Sequence, residues 1–424
     1  MVSAIVTGAT GITGNAIVHH LCKDPSYQKI YSLSRRNPGY DDPKIHHAKV
    51  DLQGSASEIA NALAGISAEY IYFCAYMAHD DPNQLSLING AMLAKFIAAL
   101  ETTGAIKILK RSILTCGFKQ YSVHLGNAKQ PFHEEDPLLE GEPWPLNFYL
   151  TQQRTLKDAA RKNHWEWVVT LPQDVLGFAR GNYMNEATAL GLYCTVSKAL
   201  PGSELVFPGC VANYFAFNTW TSANLHARFC LWAAKAPRAG NEIFNVTNGD
   251  TESWQNLWPK LATRFGCVIP DNMFRNGGRP DTKGYQGYQS STTRLPNKHP
   301  IAAFAADIGV ASDPAVETPP TIFCQIDPEK WAKREDVNAV WKKLQQKYDL
   351  DQTAWEKATW DFLTFAVGRD WNCVGSMSKA RKLGWDGYAD TWEELESVFQ
   401  VLESEGILPD AELLKINFDD EEMR

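Results

Sequence analysis

The sequence predicts an α/β fold: a doubly wound parallel sheet followed by a smaller, mainly helical C-terminal part. Three observations predict it. Apolar, β-rich runs alternate with helical patterns through residues 1–180. A glycine triplet sits at the first strand-to-helix junction, in TGATGITG (7–14). Residues 328–404 read instead as helices rich in aromatics, as in WEKATWDFLTFAVGRDW. Repeated β–α–β units of this size imply parallel strands covered by helices on both faces.

In chain order, SAIVTG (3–8) reads as a buried strand and ITGNAIVHHLCKD (12–24) as a helix. KIYSLSRR (29–36), IHHAKVDL (45–52) and AEYIYFCAY (68–76) supply further strands, followed by the helix QLSLINGAMLAKFIAALETTG (84–104). IKILKRSILTCGFK (106–119) is a strand running into a loop, NFYLTQQRTLKDAARKNH (147–164) a helix, and WEWVVTLPQDVLG (165–177) a strand again. NEIFNVTNGD (241–250) looks like one more strand before the helix TESWQNLWPKLATRFG (251–266). Residues 271–326 are rich in Gly, Pro, Ser, Thr and Gln and lack periodicity. Such a stretch reads as a surface excursion or partly disordered segment, with a lid over the site as the sharper alternative.

Composition narrows the function classes. At 424 residues, a large domain plus a smaller one is expected, and 44% hydrophobic with 21% charged residues is ordinary for a globular protein. A net charge of −8 without a basic run argues against nucleic acid as a partner. Nine scattered cysteines without a CxxC pair fit reduced thiols better than a disulfide framework, and the histidines form no HExxH, so no metal is expected. No run reaches the roughly 18 apolar residues of a membrane span. A first strand starting beside the first residue leaves no room for a signal peptide, and the expectation is a cytoplasmic enzyme with no membrane partner.

The triplet Gly8, Gly11 and Gly14 has the chemistry of a phosphate cradle. Without a Cβ, glycine lets backbone N–H groups approach a pyrophosphate closely, and the following helix N-terminus adds positive potential. Thr10, Ile12 and Thr13 between these glycines are assigned to the same cofactor site. About 20 residues on, an NAD-selective site would offer a carboxylate to the ribose. Here the chain offers Ser34, Arg35 and Arg36. Guanidinium groups pair with a 2′-phosphate that a carboxylate would repel, so NADP(H) is the expected cofactor. Asp51 and Leu52, ending the third strand, are expected at the adenine edge, and Ala75 and Tyr76, ending the fourth, near ribose and nicotinamide.

NFYLTQQ (147–153) raises a question. Many nicotinamide-dependent reductases follow a catalytic Tyr with a Lys four residues later, but Tyr149 is followed there by Gln153. A tyrosine with a pKa near 10 donates protons poorly unless a nearby cation favours its ionised form. Lys119, on the loop after the fifth strand, can reach the same crevice at the C-terminal strand ends.

TGATGITGN, SRR, GFKQY, NFY, VLGFARGNYMN, NEIFNVTNGD and WNCVGSMSKARKLGW together resemble the progesterone 5β-reductase/iridoid synthase-like family, atypical short-chain dehydrogenase/reductases. The resemblance spans nearly the whole chain. It implies an extended, Rossmann-type fold and NADPH-dependent reduction of an activated C=C bond, usually in an enone or enal. It also implies a catalytic pair of Lys119, in the GxK motif, and Tyr149, in the NFY motif, with Tyr149 also touching the cofactor. By motif match, Val175, Asn182, Tyr183 and Met184 would hold nicotinamide and phosphate groups, and Thr115 would line the cofactor channel. The chain departs from the family in TLPQDVLG, which lacks an Arg before the Pro, in FCAYMAHD, and in the length of 271–326.

The division expected is a cofactor-binding domain over 1–250, with substrate-side segments from 180–240, and a substrate-binding or capping region over 251–424. The partner is a small, apolar enone or enal, with Tyr121 a candidate for the pocket rim and a homodimer left open. Competing readings are a carbonyl reductase, a non-redox cyclase or isomerase, and a cofactor-sensing regulator.

Overall fold

A computed structural model describes residues 2–182, 185–280 and 284–419. The described residues contain eleven strands: β1 Val2–Thr7, β2 Tyr27–Ser34, β3 Ile45–Lys49, β4 Tyr70–Phe73, β5 Arg111–Thr115, β6 Glu166–Pro172, β7 Val175–Leu176, β8 Thr221–Ser222, β9 Glu242–Val246, β10 Ser291–Arg294 and β11 Thr321–Cys324. Seven form one sheet in the order β3-β2-β1-β4-β5-β6-β9. All its pairings are parallel. The doubly wound fold expected from the alternating pattern is therefore the one observed.

Central β1 shows why its run is continuous rather than alternating. Ala4, Ile5 and Val6 are all fully buried because helices cover both faces. One face carries α1 (Ile12–Lys23) and a helix at Ala223–Lys235, where Ile17, Val18, Phe229 and Phe244 share a core. The other carries α2 (Ala56–Ala62), α3 (Pro82–Thr103) and α4 (Phe148–Asn163), joined by Leu93, Phe96, Leu100 and Leu156. At 22 residues α3 is long and apolar enough to span a bilayer, yet half of its apolar window is buried inside this fold. A third core, with Trp254, Trp258, Trp331, Trp341 and Phe399, holds the C-terminal helices together.

Two expectations change in detail. Within 106–119 the strand is confined to β5: a 3-10 turn at Ala105–Ile108 precedes it, and the following loop contains a second at Phe118–Tyr121 that carries Lys119. Within 271–326, β10 and β11 form an antiparallel ladder, and Ile326 N–H donates to the Pro208 carbonyl at 3.0 Å. Strands of four residues are too short to leave a readable period. This excursion also packs on the loop after Lys119: Asn127 N–H donates to His299 Nδ1 at 2.9 Å, and Ile301 N–H donates to the Asn127 carbonyl at 3.0 Å.

The C-terminal part returns to the sheet. Trp371 and Cys373 belong to one sheet-side core, and Met377, Ala380 and Trp385 to the other. Trp371 Nε1 donates to the Val123 carbonyl at 3.1 Å, fastening this segment to the same loop.

Candidate functional site

The cradle is built by close backbone approach. Gly8 has φ +65°, and a Cβ there would stand 2.8 Å from the Cys74 carbonyl oxygen. A Cβ on Gly14 would collide with the carbonyl oxygen of Gly8. Gly11 N–H donates back to that oxygen at 2.9 Å, closing the turn. Gly11 also caps α1 and offers no side-chain acceptor, so first-turn amides remain available to an anion.

A cleft of about 580 Å³ opens over this turn. Gly8, Thr10, Gly11, Ile12, Thr13 and Gly14 line it, with Ser34, Arg35 and Arg36 from the end of β2. Asp51 and Leu52 join from beyond β3, Ala75 and Tyr76 from beyond β4, and Val175 and Asn182 from beyond β6. Ser34 Oγ donates to the Arg36 carbonyl at 2.6 Å and shapes the turn that presents both guanidinium groups. Arg35 and Arg36 are exposed, and neither forms an ion pair among the described residues. Thr115, Lys119 and Tyr149 do not line the cleft; Thr115 Oγ1 lies 3.5 Å from the sulfur of Cys74, which does. Tyr183 and Met184 lie outside the described residues.

Tyr149 occupies the first turn of α4. Asn147 caps this helix, its Oδ1 accepting from Tyr149 N–H at 3.1 Å. The Nδ2 of the same Asn147 donates to the Lys119 carbonyl oxygen at 2.7 Å. The Tyr149 phenol lies over the neighbouring backbone, since a Cβ on Gly117 would stand 3.1 Å from its oxygen. Aromatic contacts link it to the cleft: the rings of Phe148 and Tyr149 are 4.3 Å apart, and those of Phe148 and Tyr76 5.8 Å apart. Both Tyr149 and Lys119 are half-buried. Among the described residues the phenol oxygen makes no hydrogen bond, and the Lys119 amine makes neither a hydrogen bond nor an ion pair.

Burial dominates the titration of both groups. It raises the Tyr149 phenol well above its ordinary range, with Cys116 and Tyr76 adding to the effect, and it lowers the Lys119 amine. Burial thus favours the uncharged form of both groups. His124, on the same loop, is pushed down to about 3 by burial and then by the charge of Lys119, so its imidazole is neutral.

Tyr121 does not sit on a rim. It is 7% exposed, donates to Asn245 Oδ1 at 2.7 Å, and stacks on Phe132 at 4.7 Å. Its hydroxyl satisfies a core amide, which turns the ring inward.

Several cleft residues have no local mark in the sequence. Asn185, which caps the helix Glu186–Ala199, lines the cleft, as do Lys357, Thr359 and Phe362 from the C-terminal helices. A distant residue also serves the strand end at β6. Arg369, 1% exposed, pairs with Asp174 at 3.0 Å, immediately before Val175. It brings a guanidinium to the segment where an Arg before the Pro was missing. Glu186 lies near this pair, and burial followed by the charge of Asp174 raises its carboxyl far above the usual range.

Comparison with known proteins places these features in context. The PRISE-like Rossmann-fold domain matches residues 4–272. An uncharacterised protein of Schizosaccharomyces pombe is 34% identical over 414 residues, covering 96% of this chain and 98% of its own length. A 3-oxo-Δ4,5-steroid 5β-reductase of Arabidopsis thaliana is 29% identical over 282 residues, covering 65% of this chain and 71% of its own. The Bordetella bronchiseptica enzyme WbmG, solved in complex with NAD, superposes with a TM-score of 0.56 at 12% identity, covering 96% of both chains. That last likeness is one of fold.

Proposed function

Because this chain belongs to the PRISE-like Rossmann-fold family, we propose that it is an NADPH-dependent reductase of an activated C=C bond in a small, apolar enone or enal. One observation carries the proposal. Tyr149 and Lys119, both half-buried and with phenol and amine lacking protein partners among the described residues, sit on two elements whose backbones Asn147 ties together, near a cleft with a glycine cradle.

The cradle fits a dinucleotide. Its glycines leave the space that a Cβ would fill, and the uncapped amides of α1 suit a pyrophosphate. Arg35 and Arg36, free of acidic partners among the described residues, suit a 2′-phosphate. When bound, NADPH supplies a hydride to the β-carbon of the unsaturated carbonyl compound.

The work of this chain's own residues follows from where charge collects. Hydride addition at the β-carbon shifts the electron pair of the C=C bond toward the carbonyl, and negative charge builds on its oxygen. Tyr149 donates a hydrogen bond to that oxygen, and Lys119 adds positive potential from its turn. A proton from solvent at the α-carbon completes the balance. In a half-buried site such donors act with little water to screen them.

The test is Tyr149→Phe, assayed by NADPH absorbance with a cyclic enone and with its saturated ketone. Turnover of the enone is expected to fall by about 10²–10³ while dinucleotide affinity holds. Undiminished turnover removes Tyr149 from the mechanism. Reduction of the ketone alone moves the activity to C=O.

A further inference from the structure

Where many reductases carry a lysine four residues after the tyrosine, this chain buries Gln153, only 3% exposed. Its Nε2 donates at 2.6 Å to Oε1 of Gln120, itself 2% exposed and adjacent to Lys119. Gln120 belongs to the 3-10 turn Phe118–Tyr121, and its N–H donates to the Gly117 carbonyl at 2.9 Å. The helix of Tyr149 thus grips the turn of Lys119 twice: Asn147 holds the Lys119 carbonyl, and Gln153 holds the next side chain. Tyr149 stands between the two grips in α4.

We infer that Gln153 is a positioning residue that acts through Gln120 to fix Lys119 relative to the Tyr149 phenol. The inference rests on the reductase reading for its catalytic consequence, though not for the tether itself. The physical reason lies in burial. Two amides withdrawn from water must satisfy each other, and a broken pair leaves an unsatisfied polar group in the interior. The turn is therefore held at one spacing from the helix. A lysine at 153 would instead bury a charge against a neutral amide. Moving the cation to 119 and filling 153 with an amide are, on this view, two parts of one rearrangement. Burial of the Lys119 amine, which lowers its pKa, agrees with a turn held against the protein.

The experiment uses the full chain. Gln153→Leu is expected to lower enone turnover by roughly ten- to a hundredfold, the cost of a slightly misplaced group, with NADPH affinity and substrate KM unchanged. Gln153→Glu, which burial holds protonated so that its hydroxyl donates to Gln120 Oε1, is expected to restore most of the rate. In a Lys119→Met background, Gln153→Leu is expected to cost nothing further, because its effect passes through that side chain. Amide hydrogen exchange over residues 117–126 is expected to rise in Gln153→Leu whatever the activity. If Leu at 153 prevents folding, Gln120→Ala cuts the same bond and takes its place. An unchanged rate, an equal loss in the Lys119→Met background, or unchanged exchange each overturns the inference. A wild-type protein that reduces no enone sinks the proposed function instead, and the exchange measurement still decides the tether.

Discussion

Asn147 and Lys119 are joined by a 2.7 Å hydrogen bond from side-chain amide to backbone carbonyl, and the other end of the same amide caps the helix of Tyr149. One side chain thus serves two elements, and its two atoms can be separated by substitution. Asn147→Asp keeps an acceptor for the cap and loses the donor to Lys119. Asn147→Ala loses both, and removing a cap of this kind costs about 1 kcal/mol. Thermal unfolding is expected to show a drop for Ala and little change for Asp, while both variants lose turnover. Full activity in the Asp variant would mean that the tether to Lys119 is idle.

The two arginines after β2 predict cofactor preference. Charge-assisted hydrogen bonds are worth about 1.5–3 kcal/mol each. Replacing Arg35 and Arg36 together by Ala is expected to weaken NADPH binding at least about tenfold, with NADH binding unchanged. Titration calorimetry with both dinucleotides reads this directly. An equal loss for both would assign the arginines to something other than a 2′-phosphate.

Gly14 is a steric requirement, because a Cβ there meets the carbonyl oxygen of Gly8 rather than a yielding side chain. Gly14→Ala is expected to push the turn open and to weaken dinucleotide binding by at least about tenfold, in line with overpacking costs of about 1–3 kcal/mol. Dinucleotide titration and thermal unfolding check it. Gly39, with no atom within 4 Å of an added Cβ but with φ +74°, is a useful contrast: Ala there strains the loop without touching the cleft.

His226 provides an acid-sensitive element under the sheet. It is fully buried, its Nε2 lies 2.9 Å from Thr170 Oγ1, and burial pushes its pKa from 6.5 down to about 3. As pH falls below 6.5 the unfolded chain takes up this proton before the folded one does, so stability falls with pH until about 3. The slope contributed is at most about 1.4 kcal/mol per pH unit. In denaturant titrations, His226→Gln is expected to be less stable than the parent at neutral pH and to lose less stability between pH 6.5 and 3. Parallel pH profiles for the two proteins would remove His226 from the acid response.

Local pattern carried much of the fold. Continuous apolar runs such as Ala4–Ile5–Val6 mark strands covered on both faces, and the glycine spacing at 8, 11 and 14 marks a turn where backbone meets backbone. Helix bounds were legible where caps were strong: α4 begins after Asn147 and ends at His164, which has φ +59°. Much of the cleft was legible too, because its lining before residue 80 follows the ends of successive strands.

The remainder depended on long-range approach. Tyr121 follows Lys119 so closely that a rim position was a fair expectation, yet its hydroxyl is drawn inward by Asn245, 124 residues away. Arg369 meets Asp174 across 195 residues, and Lys357 reaches a cleft whose floor is at residue 8. The bond from Gln153 to Gln120 spans 33 residues, and nothing adjacent to either announces it. Neighbouring residues dictate backbone period, capping and turn sterics, because those forces act within a few bonds. Which buried polar group satisfies which is a matter of packing, and the folded chain alone settles it.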